Sequence, residues 1–260
     1  MITIKQQACV GCLTCVDVCP FTVLAVVDGM PKQNPQKNCI NCMHCAAACP
    51  QNAILCDGAE AIIDFPVPKL PENFIDALES HLMTRRAYRH FKSKPVSEKI
   101  LSHAFGLSDW APSAKNQHPT KWIAINNEDR LDEIMAHILA YSKETGVSPE
   151  IVSEYAIGNN VVMGTAPTLI LGYASSKAIN PAVDAALALS AIELILQAQG
   201  IGTCWAGYLT RMCNAVPALI DLFHLPENHQ FYCALMVGYP EDEKYLHIPA
   251  RLNKADVTWL

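Results

Sequence analysis

The stretch CVGCLTCVDVCP begins at Cys9, and CINCMHCAAACP, beginning at Cys39, repeats its spacing of C-x2-C-x2-C-x3-C-P. Eight of the chain's twelve cysteines fall in these two runs. A disulfide scaffold would need an oxidising compartment. The N-terminus, MITIKQQACVGC, leads into the cysteines without the apolar core of a signal peptide, which predicts a cytoplasmic chain whose clustered thiols hold metal. Paired zinc knuckles would set two C-x2-C pairs across a longer spacer. Here three cysteines share one tight loop and a fourth stands just before proline. That spacing suits the corners of an iron–sulfur cubane.

The doubled motif resembles a bacterial-type two-cluster ferredoxin over residues 1–62, down to the closing CPQNAI. The resemblance implies two [4Fe-4S] clusters with crossed ligation, in which the fourth cysteine of each run serves the other cluster. One cluster then falls on Cys9, Cys12, Cys15 and Cys49, and the other on Cys39, Cys42, Cys45 and Cys19. The surrounding residues fit. Pro20 and Pro50 turn the chain away after each run. FTVLAVVDGMPKQN reads as a strand, an Asp-Gly turn and a return strand. Gly11, Ala46, Ala47 and Ala48 are small enough to let backbone amides approach cluster sulfurs. His44 reads as a solvent-facing filler and Cys56 as a small buried hydrophobe.

A ferredoxin-sized segment leaves most of the 260 residues unexplained. With 51% apolar and 17% charged residues, the remainder can build a second core. The net charge of −6, with no basic run longer than Arg85-Arg86, argues against broad nucleic-acid binding. The most apolar long segment, AVDAALALSAIELILQAQG, carries Asp184, Glu193, Gln197 and Gln199, so it reads as a buried helix and not a membrane span. Three prolines, Pro66, Pro68 and Pro71, mark residues 63–72 as a stiff linker of fixed reach. Residues 73–260 form the second domain. Helices are expected from Asn73 to about Arg86, from Ser97 to near DWAPS, over EDRLDEIMAHILAYSKETG up to Gly146, and from Pro181 to Gly200. KWIAIN, PTLILGYA and FYCALMVGYP read as strands. This mixed order predicts an α+β fold.

The second domain has no GxxxxGK[ST] loop, no HExxH and no recognisable Ser-His-Asp set. GIGTCWAG is glycine-rich but follows a helix, so it fails the context of a dinucleotide fingerprint. A flavin suits a domain fused to one-electron clusters, since it exchanges electrons singly or in pairs. Three stretches bear on it. Arg85, Arg86 and Arg89 in RRAYRHF read either as a solvated basic face or as a fork of guanidinium donors for a phosphate. APSAKNQHP, alone, is an ordinary turn with amide and hydroxyl donors. GIGTCWAGY, alone, is a helix end followed by a tight loop.

Taken in this order, with the apolar helix before QAQGIGTCW and the tail VGYPEDEKYLHIPAR, these stretches resemble the nitroreductase family of FMN enzymes over residues 73–260. The resemblance implies an obligate homodimer with FMN at the subunit interface. Arg85, Arg86 and Arg89 would contact the FMN phosphate, ribityl chain or ring edge. Pro112, Ser113 and Asn116 would line the flavin. Cys204, Trp205, Ala206 and Gly207 would lay backbone against the ring, with an amide of Ala206 or Gly207 facing N5, and Arg251 would reach the phosphate. Two positions depart from the family: Ala87 replaces the serine of Arg-Arg-Ser, and His118-Pro119-Thr120 follows Asn116-Gln117 where Asn-x-Gln-Pro-Trp is usual. His118 reads as a substituted structural position, or as a proton donor near the flavin. The expected activity is reduction of a small conjugated acceptor, such as a nitroaromatic or a quinone, with electrons received through the two clusters. The source would be an external ferredoxin or another low-potential donor. The alternatives are an ene-reductase or reductive dehalogenase on the same fold, or a non-catalytic iron–sulfur carrier or redox sensor that holds no flavin.

Overall fold

The computed structural model describes residues 2–63, 67, 69–241, 245–252 and 255–260. Pro66 and Pro68 of the expected linker lie outside this set. The chain forms two compact units: residues 1–70 with 115–117, and residues 71–114 with 118–260.

In the first unit, β1 (Ile2–Ile4) pairs antiparallel with β4 (Ile54–Cys56), which pairs in turn with β5 (Ala59–Glu60). The hairpin of β2 (Leu24–Val27) and β3 (Met30–Gln33) closes through Asp28 and Gly29, both at positive φ (54° and 75°). Two central residues in that region make the turn whose twist matches a two-residue hairpin. Two four-residue helices, α1 (Thr14–Asp17) and α2 (His44–Ala47), occupy equivalent places in the two cysteine runs. Each starts after a left-handed residue, Leu13 or Met43, and each turns one cysteine, Cys15 or Cys45, into the core. Residues 115–117 group with this unit, and the Asn116 amide donates to the carbonyls of Ile40 (3.3 Å) and Asn41 (3.1 Å).

The second unit is built on an antiparallel sheet in the order β6-β7-β9-β8. Its strands are β6 (Lys121–Ile125), β7 (Thr168–Ser175), β8 (Gly202–Trp205) and β9 (His229–Gly238). β7 and β9 are central and buried on both faces, which is why PTLILGYA lacks polar alternation. Leu169 and Leu171 point into one core, with Ala234 and Met236 of β9, and Ile170 points into the other, with Leu235 and Val237. On the first side lie α5 (Glu128–Thr145), α6 (Glu150–Ala156), α8 (Gly207–Ala215) and α9 (Pro217–Leu222), contributing Ile134, Ile138, Ile151, Leu209 and Leu219. On the second lie α4 (Glu98–Ser108) and α7 (Pro181–Ala198), contributing Leu101, Ala104, Leu189, Ile192 and Leu196. Each such Leu or Ile stabilises the unit by roughly 1.5–3 kcal/mol through burial.

α7 is long and apolar enough to cross a membrane by length and composition, yet one side of it is core. It packs against α4, β7 and β9. Pro181 stands at its first turn, and Gly200, at φ 75°, follows its end. α5 is capped by the Asn127 side chain, which accepts from the Arg130 N–H, and stops at left-handed Gly146. The expected helix from Asn73 is present as α3 (Phe74–Thr84), ending two residues short of Arg86. GTCW is strand β8 where a loop was expected, because pairing with β9 extends it.

Candidate cluster and cofactor sites

The first unit sorts its thiols into two sets. One cavity is lined by Cys9, Cys12, Cys15 and Cys49, with Val10, Leu13, Pro50 and Ile54. A second is lined by Cys39, Cys42, Cys45 and Cys19, with Ile2, Leu24 and Met43. Each thus takes three cysteines from one run and the last cysteine of the other. Proximity also shows in the thiols' mutual influence. Burial raises Cys15, and Cys49, Cys9 and Cys12 raise it further. Burial pushes Cys45 up to about 11, with Cys39 and Cys42 adding to the rise.

Polar donors meet these sulfurs in matched positions. The Val23 N–H donates to Cys19 Sγ at 3.2 Å, and the Ala53 N–H to Cys49 Sγ at 3.3 Å. Asn41 N–H reaches Cys39 Sγ at 3.4 Å and the Thr14 hydroxyl reaches Cys12 Sγ at 3.5 Å. At Cys19 burial pushes the thiol up, but N–H groups of Val23, Phe21, Leu24 and Thr22 outweigh it and the net shift is down. The Thr14 hydroxyl bond is the main cause of a lowered Cys12. Such donors stabilise thiolate and tune a cluster held by it. Among the described residues no three His, Cys, Asp or Glu are grouped as ligands of one metal ion. Thiolates placed around a cubane stand farther apart than ligands of a single ion, so the two observations agree. Cys56 lies outside both sets, beside Asp57.

In the second unit, a cavity of about 410 Å³ is lined by Arg89, His90, Trp205, Ala206, Gly207 and Tyr208 on one side and by residues 158–162 on the other. Four of the residues expected to meet flavin therefore converge. β8 ends on Trp205 and α8 begins at Gly207, with Ala206 between them. A Cβ built on Gly207 would meet nothing within 4 Å, so the space over this backbone is open to a ligand. No side chain caps α8, leaving its first-turn N–H groups without a side-chain acceptor. Both features fit a flat ring edge with an acceptor atom, as FMN would present there.

The backbone around Arg89 is held from two sides. Tyr88 N–H donates to the Thr203 carbonyl at 2.9 Å, and Ala87 bridges Thr203. Thr165 N–H donates to the Arg89 carbonyl at 3.1 Å. Arg85 does not line the cavity; its Nη1 donates to Glu193 Oε1 at 3.1 Å. Arg86 donates to the carbonyls of Met83, Arg85 and His247. The Cys204 thiol is buried in the core, so only its backbone can face a ligand. Burial raises that thiol, and Arg89, Glu193 and Arg85 are all near enough to bias it.

Pro112 and Ser113 line a different cavity of about 30 Å³, shared with His118, Thr120, Trp122 and Asp184. Ser113 Oγ accepts from the His118 N–H at 3.0 Å, and Asp184 Oδ1 accepts from the Ala114 N–H at 2.8 Å. The two cavities share no residue. Asn116 groups with the first unit, and Arg251 is exposed on the C-terminal stretch and lines neither cavity.

Residues 82–239 match the model of the nitroreductase family, and this covers more than half of the chain. The chain belongs to the nitroreductase family. Residues 8–54 match a 4Fe-4S dicluster domain, within the expected 1–62 segment. Among solved members of the nitroreductase fold, a Bacteroides fragilis nitroreductase with bound FMN superposes at a TM-score of 0.61. It is 22% identical, covering 70% of this chain and 98% of its own. A Desulfitobacterium hafniense nitroreductase with bound FMN gives 0.59 at 21% identity, over 69% and 97% of the two chains. Among curated relatives, a Rhodospirillum rubrum protein named 5,6-dimethylbenzimidazole synthase is 23% identical over 68% of this chain and 88% of its own. An Archaeoglobus fulgidus protein with the provisional name NADH dehydrogenase/NAD(P)H nitroreductase is 24% identical over 63% and 85%.

Three features of this nitroreductase site escaped the sequence reading. Glu193 and Asp184 were noted only as polar breaks in an apolar helix, and each binds a segment of the expected site. Residues 158–162 supply a cavity wall; Gly158 and the paired Asn159-Asn160 after α6 were the available signal for a turn there.

Proposed function

We propose that this chain is an FMN-dependent reductase that works as a homodimer. It receives electrons through two [4Fe-4S] clusters and delivers them to a small conjugated acceptor such as a nitroaromatic or a quinone. The observation that carries the reading is the convergence of Arg89, Trp205, Ala206 and Gly207 on one open cavity of about 410 Å³. The FMN-bound state of the Bacteroides and Desulfitobacterium nitroreductases supports FMN as the occupant. Bound FMN would supply transfer of a hydride or of single electrons.

The chain's own groups then have defined tasks. The guanidinium of Arg89 offers charge and planar donors to the cofactor's polar edge. The bare backbone at Gly207 admits the ring, and the first N–H groups of α8 give it donors. In the first unit, thiolates of each four-cysteine set hold iron, while the N–H donors to Cys19, Cys49 and Cys39 favour the charged sulfur.

The homodimer is supported by the separation of the site residues. Pro112 and Ser113 do not share a cavity with Gly207 in one chain, so a second copy would be needed to bring such a loop over the ring. α3 has no buried residue and exposes Phe74, Ile75, Leu78, Leu82 and Met83, an apolar face that a partner would cover.

Anaerobic purification tests the reading directly. We expect yellow-brown protein with FMN released on denaturation, about eight irons per chain, and a dimeric mass by sedimentation. Protein with iron but no FMN would return the chain to the class of iron–sulfur carriers.

A further inference from the structure

The side chain of Glu193 is only 6% exposed, on a helix whose other buried residues are apolar apart from Asp184. Its Oε1 accepts from Arg85 Nη1 at 3.1 Å and from the Thr203 hydroxyl at 3.3 Å. Its Oε2 accepts from Trp205 Nε1 at 2.8 Å. One turn further along α7, Gln197 donates to the Arg86 carbonyl at 2.9 Å and accepts from the Arg86 N–H at 3.2 Å. The same amide donates to Thr203 Oγ1 at 2.6 Å. A two-residue polar stripe on α7 therefore ties the arginine segment to β8.

A buried carboxylate is costly unless it is paired and hydrogen-bonded, and a hydrophobic residue would serve packing better. Glu193 satisfies both oxygens, and two of its partners belong to different parts of the expected cofactor site. Trp205 is 42% exposed despite its bond, so one end of the indole is fixed while the rest faces outward. The Arg85 side chain is 34% exposed, with one of its five N–H donors used by Glu193.

We propose that Glu193 is a positioning residue for the cofactor site, setting Arg85 and Trp205 together through the two oxygens of one carboxylate. The proposal rests on the reading of that site as the FMN pocket. Its role is not met by glutamine, which offers one acceptor oxygen to two donors and turns its NH₂ toward the other. Glu193→Gln leaves size and helix propensity nearly unchanged, so a loss in that variant reports on the carboxylate's hydrogen bonds.

The test is a double-mutant cycle in the full-length protein, read as FMN affinity by flavin fluorescence on titration of the flavin-free form. Glu193→Gln should weaken FMN roughly tenfold, the equivalent of losing one charge-assisted hydrogen bond. In an Arg85→Gln background the same change should cost clearly less than tenfold, because only the Trp205 and Thr203 bonds are left for it to disturb. A purely structural glutamate would give losses that multiply and a lowered melting temperature in both backgrounds; that outcome, or unchanged affinity in Glu193→Gln, overturns the proposal. If Glu193→Gln does not fold, Arg85→Gln and Trp205→Phe ask the same question with the carboxylate present. Coupled through it, they cost less together than the product of their separate losses; strictly multiplying losses overturn the idea. Wild-type protein that binds no FMN at all would instead refute the functional reading itself.

Discussion

A Cβ on Gly164 would stand 2.3 Å from the carbonyl oxygen of Arg89. Gly164 also holds a φ of 57°, which L side chains seldom adopt. The glycine thus lets the 160–165 turn press against the arginine segment, and Thr165 fixes the contact by donating to the same carbonyl. Arg89 keeps its place in the cavity wall because nothing larger than hydrogen stands behind it. Gly164→Ala should destabilise the second unit by about 2–4 kcal/mol, from steric overlap and a strained backbone. Thermal melting checks the stability. A titration with FMN should show weaker binding in whatever folded protein remains. An unchanged melting temperature would mean that the turn relaxes without cost.

The crossed sorting of the eight cysteines can be read as iron content. Cys19→Ser and Cys42→Ser should each remove the same cluster, so the double variant should keep about four irons. Cys19→Ser combined with Cys12→Ser should strip both. If the Cys19–Cys42 pair lost all iron while the Cys19–Cys12 pair kept half, each cluster would belong to its own run and the crossed assignment would fail.

Asp184 should act on the Pro112–Ser113 segment through the Ala114 N–H. It is 4% exposed, and its Oδ1 accepts that bond at 2.8 Å. Asp184→Ala removes the acceptor of a part-buried N–H, a cost of about 1 kcal/mol. Asp184→Asn keeps an acceptor and should recover much of the loss. Hydrogen exchange at the Ala114 amide is the direct measurement, with faster exchange expected in the alanine variant and near-normal protection in the asparagine variant.

Two thiols make the second unit sensitive to alkali. Burial pushes Cys213 up to about 12, and burial likewise pushes Cys233 up to about 12, the latter opposed by a backbone hydrogen bond from Gly172. An unfolded cysteine ionises near 9, so above that pH the unfolded chain sheds a proton that the folded chain retains. Stability therefore falls as pH rises between about 9 and 12, by about 1.4 kcal/mol per pH unit for each thiol. Chemical denaturation at pH 8 and pH 10 should show the decline. A Cys213→Ala variant should start less stable but lose less over that interval.

The fusion itself predicts the electron source. If the clusters are the working entrance, reduced ferredoxin should drive acceptor turnover faster than NADH or NADPH in the intact protein. Stopped-flow absorbance can follow iron–sulfur and flavin bands separately during reduction. Flavin reduction by NAD(P)H ahead of the clusters would reverse the proposed direction.

Much of the architecture was legible because it depends on local spacing. Pro181 and Gly200 bracket α7, Asn127 and Gly146 bracket α5, and Asp28-Gly29 closes the first hairpin. Each signal sits within a few residues of the geometry it causes. β8 was harder: Thr203 and Trp205 favour strands, but GTCW is four residues long and opens on glycine straight after a helix end, so only pairing with β9 makes it a strand. α6, α8 and α9 are short, and their stability comes from the core they cover and not from their own propensity. The arginines were legible as a group, but not their division of labour. Arg86 serves backbone carbonyls, Arg85 serves Glu193, and only Arg89 lines the cavity. A sequence presents three cations and does not say which acceptors folding will bring to them.

By itself the sequence determined that eight thiols come in two equivalent loops and that an α+β domain follows. These follow from residue type and short-range spacing, whereas the joining of GIGTCWAGY and RRAYRHF in one site was implied by the family resemblance and not by either stretch alone. The crossed sorting of Cys49 and Cys19 was implied by the ferredoxin resemblance, and the two cavities are lined in that way. Only the tertiary structure decided that a carboxylate of α7 reaches both Arg85 and Trp205. Arg85 and Glu193 are 108 positions apart. Their meeting depends on α7 lying along the sheet, where burial makes an unpaired carboxylate too costly and the guanidinium is the cation that joins Thr203 and Trp205 in pairing it.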